Sequence, residues 1–152
     1  MKIDELIKQQ CPEGVEYVKV GDICNVVSGS PVSQENIDEN PGKYPVLNGG
    51  KTPMGYIGEW NSEGIPLGIS NKGSVGIVTW NKERVFRGPS NYGIQPKSKK
   101  ETLPRFLYHF MVKNYENIFN MANNHYGIPF MNKPMIEMIQ VPAPPISPAG
   151  DS

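Results

Sequence analysis

The chain of 152 residues has few of the side chains from which active sites and metal centres are built. Its two histidines and two cysteines form no cluster with metal-ligand spacing. It contains no G-x-S-x-G nucleophile turn and no G-x-G-x-x-G dinucleotide motif. The adjacent carboxylates Asp4-Glu5 and Asp38-Glu39 lie in polar segments, where solvation is expected. We therefore expect no catalytic residue, no metal site and no cofactor, and the chain is not predicted to be an enzyme.

Long hydrophobic runs are also missing, and none approaches the roughly 18–20 apolar residues that cross a bilayer. Asp4, Glu5 and Lys8 interrupt the N-terminal segment, so no signal peptide is expected. Cys11 and Cys24 lack CxxC spacing and are predicted to be reduced thiols. These features together predict a cytoplasmic protein with no membrane partner.

One short motif resembles a nucleotide-binding loop but fails its requirements. Residues 50–52 (GKT) match the end of the phosphate-loop pattern, whose first glycine would stand at position 45, where the chain has Pro45. The phosphate loop must also open a helix, and Pro53 and Gly55 oppose helix formation here. Nucleotide binding is therefore not predicted.

The net charge is zero, but the charged side chains are unevenly distributed. Residues 1–39 carry three basic and eight acidic side chains. Residues 134–152 carry no basic side chain and two acidic ones. Residues 40–133 carry twelve basic and five acidic side chains, a net charge of +7. Such a basic field predicts an anionic partner, although charge alone leaves open a solvated surface on which charges happen to segregate.

Glycine and proline are abundant, with sixteen and fifteen residues. Together with a hydrophobic content of 38%, they predict a folded domain of many short elements joined by turns. Apolar runs between these turns indicate strands, and residues 65–80 are expected to form a hairpin. We expect strands within residues 15–20, 25–28, 44–47, 65–70, 75–80, 85–86, 94–95 and 139–142, with a turn or short helix at 21–22.

One helical pattern is longer than the others. Leu103, Leu107 and Met111 begin a stripe at three- and four-residue spacing, which predicts one long amphipathic helix at about 102–122. Shorter helices are predicted within residues 1–10, at 34–39 and after Asn132. The predicted fold class is α+β, with a twisted, mostly antiparallel sheet of short strands and the long helix packed against it.

The stretch 44–61 (YPVLNGGKTPMGYIGEWN) combines an apolar strand, a glycine turn and an exposed loop with aromatic and amide side chains. Further turns of this kind lie within 71–74, 84–92 and 123–133. Because loops on a rigid scaffold often carry binding residues, we take their polar and aromatic side chains as candidates for DNA binding. The candidates are Asn48, Lys51, Tyr56, Trp60, Asn61, Asn71, Lys72, Arg84, Arg87, Ser90, Asn91, Tyr92, Asn124, His125, Tyr126 and Lys133.

These side-chain types suit a nucleic-acid partner, because Arg and Lys contact phosphates or guanine and Asn pairs with adenine. A carbohydrate-binding β module is the alternative, in which Tyr56, Trp60, Trp80 and Tyr92 would stack on sugar rings from one flat exposed face. A small enzyme is the third class, for which convergent titratable groups are missing.

Five segments, in this order, resemble the target recognition domain of Type I restriction–modification specificity subunits. They are CPEGVEYVKVGDICNVVSG, YPVLNGGKTPMGYIGEWN, LPRFLYHF, YGIPFMNKPMI and VPAPPIS, and they span about residues 11–147. The glutamine that follows the PP pair in this family is absent here, since Ser147 and Pro148 follow instead. The long spacer helix that normally comes next is also absent.

The resemblance implies a single target recognition domain at residues 1–147, followed by a Pro/Gly tail at 148–152. Such a domain is a non-catalytic component that recognises one half of a bipartite target in double-stranded DNA. In the whole restriction–modification complex it directs an adenine methyltransferase subunit and a restriction/translocase subunit, and thus DNA methylation and restriction, to that site. The resemblance carries over regions rather than individual contact residues.

Overall fold

A computed structural model describes residues 16–98, 102–122 and 129–143. The strands are β1 (Tyr17–Lys19), β2 (Cys24–Val27), β3 (Pro41–Leu47), β4 (Tyr56–Ile57), β5 (Leu67–Ser70), β6 (Val78–Trp80), β7 (Phe86–Arg87), β8 (Asn91–Pro96) and β9 (Gln140–Pro142). The helices are α1 (Val20–Ile23), α2 (Gln34–Glu39), α3 (Thr102–Lys113), α4 (Tyr115–Asn120) and α5 (Lys133–Glu137). The helix predicted within residues 1–10 and the predicted tail at 148–152 lie outside the described residues.

The main sheet has four strands in the order β2-β8-β5-β6, and each neighbouring pair is antiparallel. The hairpin predicted over residues 65–80 is present, with Leu67 opposite Trp80 and Ile69 opposite Val78. Its second strand is shorter than predicted, because Gly73 and Gly76 adopt positive φ angles of 78° and 82°. Residues 75–77 therefore belong to a turn rather than to the strand.

Helix α3 covers this sheet and buries the apolar stripe that the sequence predicts. Leu107 and Met111 are fully buried, and Leu103 is nearly so. They pack in one core with Leu67 and Ile69 of β5. Burial of a Leu or Met side chain contributes about 1.5–3 kcal/mol, so this stripe fixes α3 on the sheet.

The prediction of one long helix over residues 102–122 is wrong, because the helix stops at Lys113 and a second one begins at Tyr115. Between them Asn114 has φ −104° and ψ 26°, and its side-chain amide donates to the Phe110 carbonyl at 2.9 Å. The Asn114 backbone amide also donates to that carbonyl, at 3.0 Å, so the break is a change in the backbone angles of Asn114 and not the loss of its helical hydrogen bond. After the break, Ile118 of α4 lies in the core beside Gly76.

A second sheet of three strands has the order β4-β3-β7. Strand β3 pairs antiparallel with β4 but parallel with β7, where Val46 lies opposite Phe86. These residues form a second core with Ile37 of α2 and Ile57 of β4. The prediction of a single, mostly antiparallel sheet is thus corrected to separate sheets that include one parallel pair.

The remaining predicted elements near the two ends of the described chain are confirmed. Strands β1 and β9 form an antiparallel pair in which Val18 lies opposite Val141. The four-residue helix α1 occupies the predicted turn at Gly21-Asp22. Helix α5 begins after Asn132, whose side-chain oxygen accepts the Met135 amide at 2.9 Å and caps the helix.

Candidate nucleic-acid interface

Four loops converge at one end of the strands. They follow β3, join β5 to β6, join β7 to β8, and precede α5. The Ser74 amide donates to the Gly49 carbonyl at 2.9 Å, and the Asn71 amide donates to the Ser90 carbonyl at 3.2 Å. The Met131 amide donates to the Asn71 carbonyl at 2.8 Å. Backbone hydrogen bonds therefore hold together loops that are far apart in sequence.

These loops are basic. Residues 48–55, 71–76, 88–90 and 129–132, together with Lys133 and Pro134 at the start of α5, contain Lys51, Lys72 and Lys133 but no aspartate or glutamate. All three lysines are exposed. We call this set of loops the lysine surface. With no carboxylate in the loops to offset the three ammonium groups, the surface is suited to an anionic partner.

The Asn48 side chain contacts residues of two loops of the lysine surface. Its side-chain oxygen accepts the Ser90 amide at 2.8 Å, and its side-chain nitrogen lies 3.8 Å from the sulfur of Met54. A Cβ atom at position 88 would come within 2.7 Å of that same oxygen, so Gly88 leaves the space that this bond requires. The Asn48 side chain thus ties two loops together.

Arg87 lies beneath this surface, in the interior, with 1% of its side chain exposed. Its guanidinium donates to the Ser62 hydroxyl at 3.1 Å, the Ile65 carbonyl at 2.6 Å and the Asn91 side-chain oxygen at 2.7 Å. All three acceptors are neutral, and burial lowers the pKa of Arg87 to about 10. The group therefore remains charged at neutral pH.

Two candidates from the sequence are buried in this arrangement. Arg87 and Asn91 were expected to face a partner, but both are buried at 1% exposure and bonded to each other. Their polar atoms are used inside the protein, since Asn91 also donates to the Asn48 carbonyl at 3.3 Å. In the structure both residues therefore connect parts of the protein beneath the surface.

Asn61 also acts on the backbone. Its side-chain nitrogen donates to the Arg87 carbonyl at 3.0 Å, and its side-chain oxygen accepts the Arg87 amide at 2.8 Å. This two-way pairing imitates the hydrogen bonds of a neighbouring strand. It fixes the loop after β4 against β7, although Asn61 itself is exposed.

Trp60 and Arg84 form a second group, at the opposite end of β7 from Gly88. The Arg84 guanidinium lies 4.9 Å from the centre of the Trp60 ring and forms an ion pair with Glu63 at 2.9 Å. The hydrogen bond to Glu63 raises the pKa of Arg84 above its usual value. Because the ion pair is about half exposed, its contribution to stability is small.

The aromatic candidates do not share one face. Tyr56 and Trp60 are 55% and 40% exposed, whereas Tyr92 and Trp80 are partly buried against the main core. The Arg105 guanidinium also covers the Trp80 ring, 4.5 Å from its centre. The flat, exposed row of aromatics that a carbohydrate module requires is therefore not formed by these four side chains.

The other candidates fall on the edge of the lysine surface or outside the described chain. Ser90 is partly exposed, and the Asn71 side-chain oxygen is buried without a hydrogen-bond donor among the described residues. The positions of Asn124, His125 and Tyr126 lie outside the described residues.

Sequence reasoning missed the residues that form the pocket for Arg87. Gly68 of β5 lies opposite Gly93 of β8, and the guanidinium rests against both, while Ser62 supplies one acceptor. Glycine in the middle of a strand often marks a close approach of another group. Gly68 and Gly93 carried that signal, but the sequence did not show that the strands bring them face to face.

The described residues contain no group of three or more His, Cys, Asp and Glu side chains placed to hold a metal ion. Among the same residues, no helix has the length and hydropathy that a membrane span requires. Burial raises the pKa of the Cys24 thiol to about 12, against a smaller opposing effect of Lys97. That thiol is therefore a poor nucleophile.

Loops that converge on a basic surface over a rigid α+β scaffold define a binding domain. The model of the Type I restriction modification DNA specificity domain matches residues 12–149, and the chain belongs to this family. The match covers nearly the whole chain and agrees with the resemblance found in the sequence.

Individual relatives are consistent with this assignment. The chain is 25% and 26% identical, each over 136 residues, to two proteins of Mycoplasma pneumoniae named as type I specificity subunits. The matches cover 87% and 86% of this chain but 36% and 43% of those proteins. The chain therefore spans about two fifths of the length of these relatives.

Solved structures show the same fold. The type I restriction–modification S subunit from M. genitalium matches with a TM-score of 0.75 at 21% identity, over 86% of this chain and 34% of its own. The HsdS subunit from Thermoanaerobacter tengcongensis matches with a TM-score of 0.57 at 14% identity, over 94% of this chain and 39% of its own. At these identities the likeness concerns the fold alone.

Proposed function

We propose that this chain is a target recognition domain that binds double-stranded DNA through the lysine surface and recognises one half of a bipartite sequence. The observation that carries the proposal is that the segments bearing the exposed Lys51, Lys72 and Lys133 are held together by backbone hydrogen bonds and contain no carboxylate, in a chain of the DNA specificity family. Membership of the family supports DNA as the anion, and the surface supports where it binds.

Different side chains of the lysine surface have different roles in this proposal. The three lysines neutralise phosphates and position the duplex, which gives affinity without sequence information. Polar groups at the same loops that remain partly exposed, such as the Ser90 hydroxyl, contact base edges. Trp60 and Arg84 lie apart from this surface, so in this proposal they contact the flanking backbone or a partner protein.

The partners and setting form part of the same proposal. The domain is a non-catalytic, cytoplasmic component at residues 1–147 that directs an adenine methyltransferase subunit and a restriction/translocase subunit to the target. The similarity to type I specificity subunits supports this view. A structure concerned with the assembly of a type I R-M system also matches, with a TM-score of 0.65 at 17% identity.

A salt titration tests where DNA binds. The affinity of the full chain for a labelled duplex pool is measured by fluorescence anisotropy at several salt concentrations. Replacing Lys51, Lys72 and Lys133 by Gln is expected to reduce the slope of log K against log salt by about 3, since each phosphate contact contributes about 0.9.

The matched control removes three other lysines. Lys43, Lys82 and Lys97 lie at the far ends of β3, of the β5–β6 hairpin and of β8. Their replacement by Gln changes the net charge equally but should leave most of the slope intact. Equal losses in the two triple variants would show that binding follows net charge, and would contradict the lysine surface as the site.

A further inference from the structure

Arg87 is a charged group in an interior that offers it no carboxylate among the described residues. It is 1% exposed, and its hydrogen-bond acceptors are a hydroxyl, a carbonyl and an amide oxygen. Burial of a charge is costly unless hydrogen bonds compensate it. Replacing a buried charged group by an apolar side chain of similar volume is often neutral or stabilising, so stability alone does not account for Arg87.

The main sheet provides a slot shaped for the guanidinium. Gly68 and Gly93 lie directly opposite each other in neighbouring strands. A Cβ atom at Gly68 would lie 2.4 Å from the Arg87 Nη1 atom, and one at Gly93 would lie 3.0 Å from Nε. Since any larger side chain would intrude on the guanidinium, the paired glycines and Arg87 form one structural unit.

This unit connects the interior to the lysine surface. Arg87 Nη1 holds the Asn91 side-chain oxygen, and the Asn91 side-chain nitrogen donates to the Asn48 carbonyl. Asn48 in turn accepts the Ser90 amide. The path runs from the guanidinium to both loops, the one after β3 that carries Lys51 and the one between β7 and β8.

We propose that Arg87 is a positioning residue that sets the relative placement of these two loops and thereby determines how well the domain discriminates between DNA sequences. The proposal rests on the proposed function, and it concerns discrimination rather than affinity. Phosphate contacts by flexible lysines tolerate small displacements, whereas hydrogen bonds to base edges do not. Binding groups must be held within about 0.5 Å of their productive geometry, which buried, fully bonded networks achieve.

Two substitutions separate this role from a general role in stability. In Arg87→Lys the charge is kept, but one ammonium group cannot reach Ser62, Ile65 and Asn91 together. Asn91→Asp keeps an acceptor for Arg87 and makes it a carboxylate, while it removes the donor to the Asn48 carbonyl. The second variant therefore keeps the anchor, and it replaces the link to the surface by a repulsion between a carboxylate oxygen and the Asn48 carbonyl oxygen.

The experiment uses the full chain and duplexes with a randomised window of about 10 bp, the length of one helical turn. Bound duplexes are sequenced to find the enriched motif. The affinity for that motif is then compared with the affinity for an unrelated duplex, and urea denaturation of each variant is measured in parallel. Arg105→Lys is the control, because Arg105 is exposed and covers Trp80 at the far end of the hairpin.

We expect Arg87→Lys and Asn91→Asp each to lower the ratio of specific to unrelated affinity about tenfold. A factor of this size corresponds to the loss of about one hydrogen bond between the displaced loops and the base edges. Affinity for the unrelated duplex should stay within about twofold, since the lysines that supply it are unchanged. Arg105→Lys should keep both values.

The inference is overturned if folded Asn91→Asp enriches the wild-type motif with wild-type discrimination, and this result decides the matter even if Arg87→Lys does not fold. A different failure applies to the proposed function. If the wild-type chain enriches no motif at all, sequence recognition itself is refuted, and the inference falls with it.

Discussion

Of the two glycines in the strands of the main sheet, Gly68 leaves less space for an added Cβ atom than Gly93 does. An added methyl group would meet Arg87 Nη1 at 2.4 Å and the Asn91 side-chain oxygen at 3.1 Å. Although these atoms belong to side chains, both are buried and hydrogen-bonded to each other, so they have little freedom to move away.

We therefore expect Gly68→Ala to lower the free energy of unfolding by about 2 kcal/mol, the usual cost of overpacking a filled site. Urea denaturation measures the change. Gly50→Ala is the control, because the nearest atom to its new Cβ is 3.6 Å away, and its effect should stay within about 0.5 kcal/mol. If Gly68→Ala left the free energy of unfolding unchanged, the close packing of Arg87 against Gly68 would be contradicted.

Cys24 gives a second test at the level of one residue. Burial raises the pKa of its thiol to about 12, so at pH 8 the folded protein holds about a thousandfold less thiolate than the unfolded chain. In a Cys11→Ser variant, iodoacetamide should label Cys24 slowly until denaturant is added. Fast labelling under native conditions would contradict the burial of this thiol.

The same shift sets a direction for stability at high pH. The folded state keeps the Cys24 proton up to about pH 12, whereas the unfolded chain loses it near its ordinary value of 9. Folding is therefore favoured most fully below pH 9, and this contribution is lost as the pH rises from 9 towards 12. A Cys24→Ala variant should show a weaker decline over that range.

Residue types could be predicted from the sequence to be polar and close to turns, but their burial could not. Arg84 and Arg87 stand three positions apart around one short strand, and both were expected to face a partner. Arg84 is exposed beside Glu63, while Arg87 is buried. The difference arises from tertiary contacts with Gly68 and Gly93, which no local pattern contains.

At the scale of elements, the cap of α5 links local structure to the lysine surface. Asn132 accepts the Met135 amide, and Lys133 is the first residue of the helix that this bond begins. Ser33 accepts the Asn36 amide in the same way at the start of α2. Helix α2 packs instead on the second core through Ile37.

We expect Asn132→Ala and Ser33→Ala each to lower the free energy of unfolding by about 1 kcal/mol, the cost of a lost N-cap. Only Asn132→Ala should also weaken binding to the duplex pool, by about threefold, because one of the three lysines loses its fixed position. Denaturation and anisotropy measure the two effects. Equal DNA binding by both variants would contradict a role for Lys133 in binding DNA.

The sequence predicted elements well where the pattern is local. Helix α2 has the predicted limits of 34–39, and the strand pair β5–β6 lies within the predicted hairpin. It failed at Asn114, because the apolar stripe continues across the break, where the backbone angles of this one residue depart from those of a helix. The one sign of this interruption in the sequence is Asn114 itself, because Asn is unfavourable inside a helix.

At the scale of the whole molecule, the division into separate sheets could not be predicted. The parallel pairing of β3 with β7 joins residues 40 positions apart and lacks any turn signal between adjacent strands. That pairing places Arg87 next to Leu47 and so brings the loops after both strands to one end. The candidate loops were therefore predictable one by one, whereas their convergence required the fold.

The central claim is that the converged loops specify a DNA sequence. The most direct measurement transfers residues 11–147 into the matching position of an intact type I specificity subunit, co-expresses it with its methyltransferase subunit, and maps N6-methyladenine in the host DNA. The account predicts a new bipartite methylation motif in which one half is changed and the other is kept. An unchanged or absent map, from a complex shown to assemble, would contradict it.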